Sequence, residues 1–562
     1  MREKVRMRSW SRRYRGWQSV LMKGLMQNYQ LSLDTIFLRA EQFYPDKTVH
    51  TGGPAPSTLT YAEWAGRTRR LGGVLHALGI STDGRVATFA WNSGRHLELY
   101  FAAPCTGRVL HTLNIRLFPD QVVYIANHAE DEVIFVDRSL LGLFLPLLDR
   151  LPLIRHVVVM DDLPAGAPGA EVPDDPRFHD YEALLAAAEP VEFRVADENQ
   201  AAAMCYTSGT TGNPKGVVYS HRSTWLHSIG VLTNAGIGLA ETDTVMPVVP
   251  MFHANAWGLA HAAPMAGASL VFPGPDMSPQ GILKLLQEQE VTLAAGVPTI
   301  WQGLLPLLDD VELPKLRRVP CGGSAVPMAL SEAFREKLGR PILQAWGMTE
   351  TSPVATAAHV PARYEKLSED EKARLRARQG QPLPGVEVRI VEPGSITPLP
   401  WDDEATGELQ VRGPWIASEY YRPDEGVQLS TEDGWMKTGD VAAIDQFGSV
   451  RLVDRTKDLV KSGGEWISSV ELENLLMAHP AIKEAAVIGV PHPKWDERPL
   501  ACVVLQEGET VTGEEILEYL KPRVAKWWLP DAVEFIEEVP KTSVGKFSKK
   551  DLRTRFADYR LG

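Results

Sequence analysis

The feature that most constrains the fold is a regular alternation of helical and strand-like stretches early in the chain. Helical spacing of apolar residues covers 61–78, 96–107 and 119–128. Short apolar runs typical of buried strands cover 85–91, 109–113 and 132–137. Repeated β-α-β order predicts a largely parallel sheet covered by helices, and hence an α/β fold.

Length and composition set further limits. A chain of 562 residues is too long for one core and predicts two or more domains. A net charge of −13 argues against a nucleic-acid partner, although a local lysine cluster could still bind a polyanionic cofactor. The four cysteines (Cys105, Cys205, Cys321 and Cys502) are scattered, which favours a reducing compartment and no structural zinc. No apolar run reaches the ~20 residues of a membrane span.

The first 25 residues form a basic tail that differs from the rest. Seven Arg and Lys residues between Arg2 and Arg15 stand against the single acid Glu3, and the apolar core of a secretory signal is missing. We interpret the segment as a disordered tail or as an over-extended start, with translation beginning at Met22. An organelle presequence and a membrane-surface helix are the alternatives.

A glycine-rich loop at 206–216 is the strongest candidate ligand site. Apolar runs at 201–205 and 217–219 enter and leave it, which predicts strand, loop, strand. Its three glycines allow close backbone approach, and four hydroxyls and a lysine supply hydrogen-bond donors suited to a polyphosphate. These residues are Thr207, Ser208, Gly209, Thr210, Thr211, Gly212, Lys215 and Gly216. The loop is not a Walker loop, because Pro214 precedes Lys215 and a glycine follows it. Taken alone, it is equally well read as a flexible hairpin.

Later segments carry single residues that are each ambiguous. His253 and Trp257 follow a proline-rich stretch and could line a pocket or belong to an ordinary core turn. Glu350 lies among hydroxyls and could bind Mg²⁺ or only favour a helix N-terminus. Asp440 ends a turn and could accept ribose hydroxyls or be a solvated turn residue.

The sequence predicts that roughly the last hundred residues form a separate domain. A charged break at 454–458 predicts a domain boundary, and a second glycine turn follows at 462–466. Helices are predicted at 470–477 and 514–520, and strands at 484–490 and 500–504. Lys546 lies on a predicted short polar turn. From its position alone, the simplest interpretation is a lysine exposed to solvent, as most lysines are.

Taken together, five segments in this order resemble the signature set of the adenylate-forming enzymes, and within it fatty acyl-CoA synthetases. The segments are 206–216, 346–350, 438–440, 454–461 and 541–546, and the resemblance runs from about Met26 to the end. Two positions depart from the pattern. Trp346 stands where many members have Tyr, and it keeps a flat face for stacking but has no hydroxyl. Ala345 stands where close relatives carry Gly. Both bear on chain-length preference more than on activity.

The resemblance implies a domain plan. A large N-terminal domain (26–455) would contain two α/β subdomains and a β-barrel-like part. A small mobile α+β domain (456–562) would follow, with the active site in the cleft between them. The partners would be small molecules, contact with a membrane would be at most peripheral, and the protein would be a cytoplasmic homodimer.

The resemblance also implies the roles of individual residues. Thr207 and Glu350 would hold Mg²⁺, and the glycine loop would close over the ATP phosphates. Lys546, with Lys215 and Glu350, would be catalytic, and Lys546 would bridge the acid and the α-phosphate. Further ATP or AMP contacts would come from Gly323, Gln344, Ala345, Thr349, Asp440, Arg455, Lys457, Lys461 and Trp466. His253 and Trp257 would line the acyl tunnel, and Gly463 and Gly464 the CoA path.

The implied reaction has two steps. ATP-dependent activation of a fatty acid would give an acyl-adenylate and pyrophosphate, and transfer to CoA would give acyl-CoA and AMP. Cations aimed at the phosphates suit the first step, because an anion attacks an anionic phosphate there. The alternatives are a CoA ligase for an aryl or short-chain acid, a fatty acyl-AMP ligase, a carrier-protein-loading domain and an inactive nucleotide-binding regulatory protein.

Overall fold

The computed structural model describes residues 24–207, 213–309, 311–392, 394–462, 465–541 and 547–560, with the backbone alone for 465 and 466. The chain divides into two units, Met1–Gln30 and Leu31–Gly562. In the first unit, the described residues 24–30 contain neither helix nor strand. The basic tail predicted at the N-terminus lies almost wholly outside the described residues.

The predicted β-α-β region forms a seven-stranded sheet. Its order is Phe178–Asp180, His156–Met160, Asp131–Asp137, Arg85–Phe89, Val109–Thr112, Ala201–Tyr206 and Gly216–Ser220. All neighbours are parallel except the last pair, which is antiparallel. The helices Tyr61–Ala77, Gly94–Cys105 and Pro119–Ala129 match the predicted segments within two residues at each end. The prediction of an α/β fold is therefore confirmed.

A second parallel sheet carries the central part of the chain. Its order is Leu293–Ala295, Thr244–Pro247, Ser269–Phe272, Thr48–Thr51 and Ser57–Thr60, with only the last pair antiparallel. A four-stranded sheet adjoins its edge through the parallel bridge Gly296–Cys321. That sheet runs Pro320–Cys321, Leu343–Gly347, Val354–Ala357 and Gln381–Pro382.

Two antiparallel sheets follow. The first is Glu387–Val391, Gly407–Arg412, Met436–Ile444 and Val450–Arg455. The second contains Glu465–Ile467, Val460–Ser462, Asp496–Leu505 and Ile482–His492, and Ala532–Phe535 pairs in parallel with Asp496–Leu505. Two hydrophobic clusters consist only of residues from Val460 onward, so this last part has its own core. A large N-terminal part and a small α+β C-terminal part agree with the predicted fold class.

The other helices pack on these sheets. They are Leu33–Phe43, Leu141–Phe144, Tyr181–Ala187, His221–Leu232, Leu259–Ala266, Pro279–Glu288, Pro298–Leu304, Met328–Leu338, Glu369–Arg376, Ser469–Met477, Gly513–Leu520 and Lys549–Arg555. Short 3₁₀ turns include Thr349–Thr351 and Lys526–Trp528. In the part of the chain that the structure describes, no helix combines the length and apolarity needed to cross a bilayer.

Candidate active site

The two described ends of the glycine loop are held together by their own hydrogen bonds. The amide of Thr207 donates to the carbonyl of Lys215 (2.9 Å), and the amide of Lys215 donates to Oγ1 of Thr207 (3.1 Å). The predicted strands on either side of the loop are present, and they pair antiparallel up to Tyr206 and Gly216. Ser208, Gly209, Thr210, Thr211 and Gly212 lie outside the described residues. The structure therefore fixes the base of the loop.

Glu350 and Lys215 are brought together by one tyrosine. The hydroxyl of Tyr420 donates to Oε1 of Glu350 (2.6 Å), and Nζ of Lys215 lies 5.1 Å from the centroid of the Tyr420 ring. The carboxylate is only 4% exposed, and its segment is fixed by bonds from the Ala417 amide to its carbonyl and from the Tyr219 hydroxyl to the Thr349 carbonyl. Burial, and then the neighbouring Glu350, raise the pKa of Tyr420, so this phenol remains a donor.

The chemistry of Glu350 and Thr207 fits Mg²⁺ bound together with a substrate. Mg²⁺ characteristically takes one or two carboxylates and completes its shell with phosphate oxygens and water. Glu350 supplies one buried carboxylate, and the Thr207 hydroxyl lies at the base of the phosphate-type loop. Among the described residues, no cluster of three or more His, Cys, Asp or Glu side chains could hold a metal. The residues thus suit an ion that arrives with a polyphosphate.

The ends of two parallel strands form a second part of the site. Pro320–Cys321 pairs with Leu343–Gly347, so the glycine turn after Cys321 lies beside Gln344 and Ala345. A Cβ on Gly322 would lie 2.5 Å from the Ala345 carbonyl oxygen, and Gly323 has φ +85°. Gln344 is buried and accepts a hydrogen bond from the Val326 amide (3.3 Å). This close backbone approach explains why glycine is required here.

Asp440 is a buried carboxylate bound on both oxygens. Its Oδ1 lies 3.0 Å from Nε of Arg455, and its Oδ2 accepts a hydrogen bond from the indole Nε1 of Trp346 (3.1 Å). Asp440 is 2% exposed. The charge of Asp440 is the largest cause that raises the pKa of Arg455, and Glu350 adds to it. Arg455 therefore lies within electrostatic reach of both acidic groups.

The segment with His253 and Trp257 forms a left-handed turn. Four consecutive residues without glycine, Ala254 to Trp257, have φ between 43° and 57°. Asn255 anchors the turn, because its Oδ1 accepts from the Tyr100 hydroxyl (3.3 Å) and from Sγ of Cys205 (3.4 Å). The Trp257 indole is 6% exposed, and its outer edge lies 3.5 Å from the Cβ position of Gly322. Trp257 thus packs directly against the glycine turn beside Ala345.

The C-terminal candidates are only partly described. The side chains of Lys457 and Lys461 are exposed, and the amide of Lys461 donates to Oε2 of Glu497 (3.0 Å). Gly463, Gly464 and Lys546 lie outside the described residues, as does the side chain of Trp466. Nearby, Lys549 joins Glu473 (2.8 Å), and Arg553 joins Asp458 (2.8 Å). The helix Lys549–Arg555, which follows Lys546 in the chain, is thus tied to Glu473 and to the segment after Arg455.

The structure adds residues that the sequence analysis did not single out. Tyr420 links Glu350 to Lys215, Tyr219 supports Thr349, and Asn255 holds the turn before Trp257. The only sequence signal for Asn255 is its residue type, since Asn tolerates the left-handed region better than most residues do. Nothing in the sequence marked Tyr420, because its partners lie 70 and about 200 residues away.

Comparison with known proteins agrees with this geometry. The family described as AMP-binding enzyme matches residues 37–421, and the family described as AMP-binding enzyme C-terminal domain matches residues 471–546. The chain therefore belongs to the AMP-binding enzymes.

Individual relatives cover nearly the whole chain. A long-chain-fatty-acid–CoA ligase of Thermus thermophilus is 47% identical over 95% of this chain and 97% of its own length. A 3-methylmercaptopropionyl-CoA ligase of Ruegeria lacuscaerulensis is 45% identical over 96% of this chain and 100% of its own. The ATP-bound crystal structure of MatB from Rhodopseudomonas palustris aligns with a TM-score of 0.79 at 27% identity, over 94% of this chain and 99% of that one.

The predicted membership of the adenylate-forming superfamily is thus confirmed. The protein is an AMP-forming CoA ligase, which uses ATP and CoA, with Mg²⁺ as the metal. The acid that it activates is not fixed by membership of the family, because the two relatives above are named for different acids.

Proposed function

We propose that this AMP-forming CoA ligase activates fatty acids of medium to long chain. The observation that best supports the site assignment is that the Tyr420 side chain contacts both the loop cation Lys215 and the buried carboxylate of Glu350. A metal-bound triphosphate needs both a carboxylate for Mg²⁺ and a cation for the phosphate charge. The neighbouring Asp440 and Arg455 supply a polar site for the ribose.

In the proposed binding mode each group of residues has one task. Thr207 and Glu350 hold Mg²⁺, which lowers the charge repulsion between the acid and ATP. The glycine loop, from Thr207 through Ser208, Gly209, Thr210, Thr211 and Gly212 to Lys215, binds the β- and γ-phosphates. Asp440 accepts the ribose hydroxyls, with Arg455 beside it. The adenosine and α-phosphate lie against Gly323, Gln344, Ala345 and Thr349.

The chemistry then runs in two balanced steps. The carboxylate oxygen of the acid bonds to the α-phosphorus, and the bond to the β-phosphate breaks, which releases pyrophosphate. Lys546 stabilises the charge that this first step brings together, and Lys215 supports the departing phosphates. The CoA thiol then loses its proton to solvent, its sulfur bonds to the acyl carbon, and the carbon–oxygen bond to AMP breaks, which releases AMP. No side chain forms a covalent intermediate.

The domain roles complete the proposal. We place the boundary between Arg455 and Thr456, with the hinge at Lys457, and the separate hydrophobic clusters after Val460 support it. The small domain would present Lys546, Lys461 and Trp466 in the first step and the Gly463–Gly464 turn to CoA in the second. Closure also excludes water, which would hydrolyse the adenylate. A cytoplasmic homodimer belongs to the same proposal, and light scattering tests its stoichiometry.

The fatty-acid assignment rests on the segment around Trp257. The indole packs against the Gly322 turn, and Trp257 belongs to the same buried hydrophobic cluster as Ala256, Ala345 and Trp346. An apolar wall of this kind favours an alkyl chain, and we propose that Trp257 closes the acyl tunnel near His253. The second candidate is a short acid, because a relative of similar identity is named for 3-methylmercaptopropionate.

One experiment separates the candidates. The protein is incubated with Mg²⁺, ATP, CoA and acids from acetate to oleate, together with 3-methylmercaptopropionate and benzoate, and the products are identified by mass spectrometry. We expect the highest kcat/KM for octanoate to palmitate, with equal amounts of AMP and acyl-CoA. A maximum at 3-methylmercaptopropionate or acetate would favour the short-acid candidate, and acyl-AMP without thioester would contradict the CoA-transfer step.

A further inference from the structure

Trp346 makes a specific polar contact that stacking on a purine would not need. Its indole N–H donates to Oδ2 of Asp440 across 94 residues of sequence, and both side chains are at least nine-tenths buried. A buried carboxylate that is bound by a neutral donor is held in one orientation, since breaking the bond would leave a buried acceptor unpaired. Trp346 thus restrains the Asp440 side chain directly.

The backbone and the second oxygen of Asp440 are restrained as well. Asp440 pairs with Arg455 in the sheet, and its amide donates to Oγ1 of Thr438 (3.0 Å). Arg455 Nε forms an ion pair with Oδ1 (3.0 Å). A carboxylate has about four lone-pair positions, two on each oxygen. Even with one position used on each oxygen, one remains on each, which matches two neighbouring hydroxyl groups.

We propose that Trp346 is a positioning residue for recognition of the ribose diol, and that its N–H makes the enzyme selective for nucleotides with both the 2′- and 3′-hydroxyls. The inference rests on the proposed function, because it takes Asp440 as the residue that binds ribose. The inference goes beyond the proposed function because it assigns the selectivity for the ribose diol to the indole N–H and not to the flat face of the ring. Phenylalanine at this position would keep an aromatic face and lose the donor.

Equilibrium binding tests the inference without requiring turnover. Dissociation constants for Mg-ATP, Mg-2′-deoxy-ATP and Mg-3′-deoxy-ATP are measured by calorimetry for the wild type and for Trp346→Phe. We expect the wild type to bind ATP about tenfold to a hundredfold more tightly than either analogue, the size of one hydrogen bond to a charged group. In Trp346→Phe this ratio should fall to about threefold or less, because ATP loses most and the analogues lose little.

Three further variants make the outcome decisive: Trp435→Phe, Asp440→Asn, and Asp440→Asn combined with Trp346→Phe. Trp435→Phe is the matched control, because Trp435 lies in the turn before the strand of Asp440 and has the same 9% exposure as Trp346. It should leave the ratio unchanged. In an Asp440→Asn background, Trp346→Phe should not change the ratio further, since both residues act on the same contact. Thermal unfolding confirms that each variant is folded.

Three results would overturn the inference: no preference for ATP in the wild type, equal weakening of all three nucleotides in Trp346→Phe, or an additive effect in the double variant. Failure of the inference about Trp346 can be distinguished from failure of the proposed function. If the wild type prefers ATP but never releases pyrophosphate with any acid of the panel, the proposed function is wrong while the role of Trp346 stands.

Discussion

The hydroxyl of Tyr420 lies 2.6 Å from Oε1 of Glu350, and the ring of the same tyrosine lies 5.1 Å from Nζ of Lys215. One side chain therefore fixes the carboxylate proposed for Mg²⁺ and borders the cation proposed for the phosphates. Neither Glu350 nor Lys215 needs to reorganise much to meet a metal–nucleotide complex. Preorganised charges of this kind are the main source of rate enhancement in phosphoryl and acyl transfer.

Tyr420→Phe should weaken the response to Mg²⁺. Loss of a hydrogen bond to a charged group corresponds to about 1.5–3 kcal/mol, so we expect the Mg²⁺ concentration for half-maximal pyrophosphate release to rise about tenfold or more. Tyr421→Phe is the control, because the Tyr421 hydroxyl contacts Arg85 (3.1 Å) outside this cluster. Similar Mg²⁺ curves for the two variants would contradict the proposed role of Tyr420.

Lys546→Ala should abolish adenylation and spare thioester formation. We expect pyrophosphate release to fall about 10²- to 10³-fold, as when one charge-stabilising donor is lost. Acyl-CoA formation from supplied acyl-AMP should persist, because the second step does not need this lysine. Lys541→Ala is the control from the same segment, since Lys541 pairs with Glu484 (2.7 Å). Equal loss of both half-reactions in Lys546→Ala would refute the alternating-domain mechanism.

Trp257→Ala should change selectivity for chain length. Removing a buried indole leaves a cavity beside Gly322 and Ala345. We expect the KM for palmitate to change at least about fivefold, while kcat for butyrate stays within about twofold. The measurement is the ratio of kcat/KM for palmitate to kcat/KM for butyrate, compared between Trp257→Ala and the wild type. An identical effect at every chain length would remove Trp257 from the tunnel.

His227 should make the fold less stable in mild acid. Burial, and secondarily His261, lower the pKa of His227 to about 3, and its Nε2 accepts a hydrogen bond from the Val354 amide (3.1 Å). Between pH 6.5 and 3 the unfolded chain binds a proton at this residue that the native state excludes, so stability falls as the pH falls. The loss between pH 7.5 and 5.5 is about 1.4 kcal/mol.

Urea titration at the two pH values measures this contribution. His227→Gln keeps an acceptor for the Val354 amide but does not titrate, so the difference in unfolding free energy between pH 7.5 and 5.5 should shrink by about 1.4 kcal/mol. An unchanged difference would show that His227 is not the group responsible.

The parts of the fold with regular periodicity could be predicted from the sequence. The helix Tyr61–Ala77 begins at a Thr60 capping box, and the strands of the seven-stranded sheet are short apolar runs, so both leave local signals. The left-handed turn at Ala254–Trp257 could not be predicted, because alanine and tryptophan give no sign of positive φ. Its conformation is imposed by long-range contacts of Asn255.

The candidate site shows the same division. Thr207, Lys215, Glu350 and Asp440 could be proposed from the sequence because each belongs to a motif with its own residue chemistry. The partners that orient them were missed, since Tyr420 meets Glu350 across 70 residues and Trp346 meets Asp440 across 94. Trp346 was noted in the sequence only as a departure from the usual Tyr, and the role of its N–H became clear only with the position of Asp440. These contacts join residues that are far apart in the sequence, so no local sequence pattern could have predicted them.

The left-handed turn before Trp257 has a consequence for how this enzyme could acquire new substrates. Left-handed backbone costs about 1–2 kcal/mol for a residue with a side chain, and glycine would relieve that strain. Against this gain, glycine adds about 0.4–1 kcal/mol of freedom to the unfolded chain, and it removes a buried methyl group that contributes ~0.8 kcal/mol. Glycine at Ala254 or Ala256 would therefore leave stability nearly unchanged. It would, however, release the indole from its single orientation, so the breadth of acids accepted could evolve through backbone freedom while every wall of the tunnel keeps its side chain.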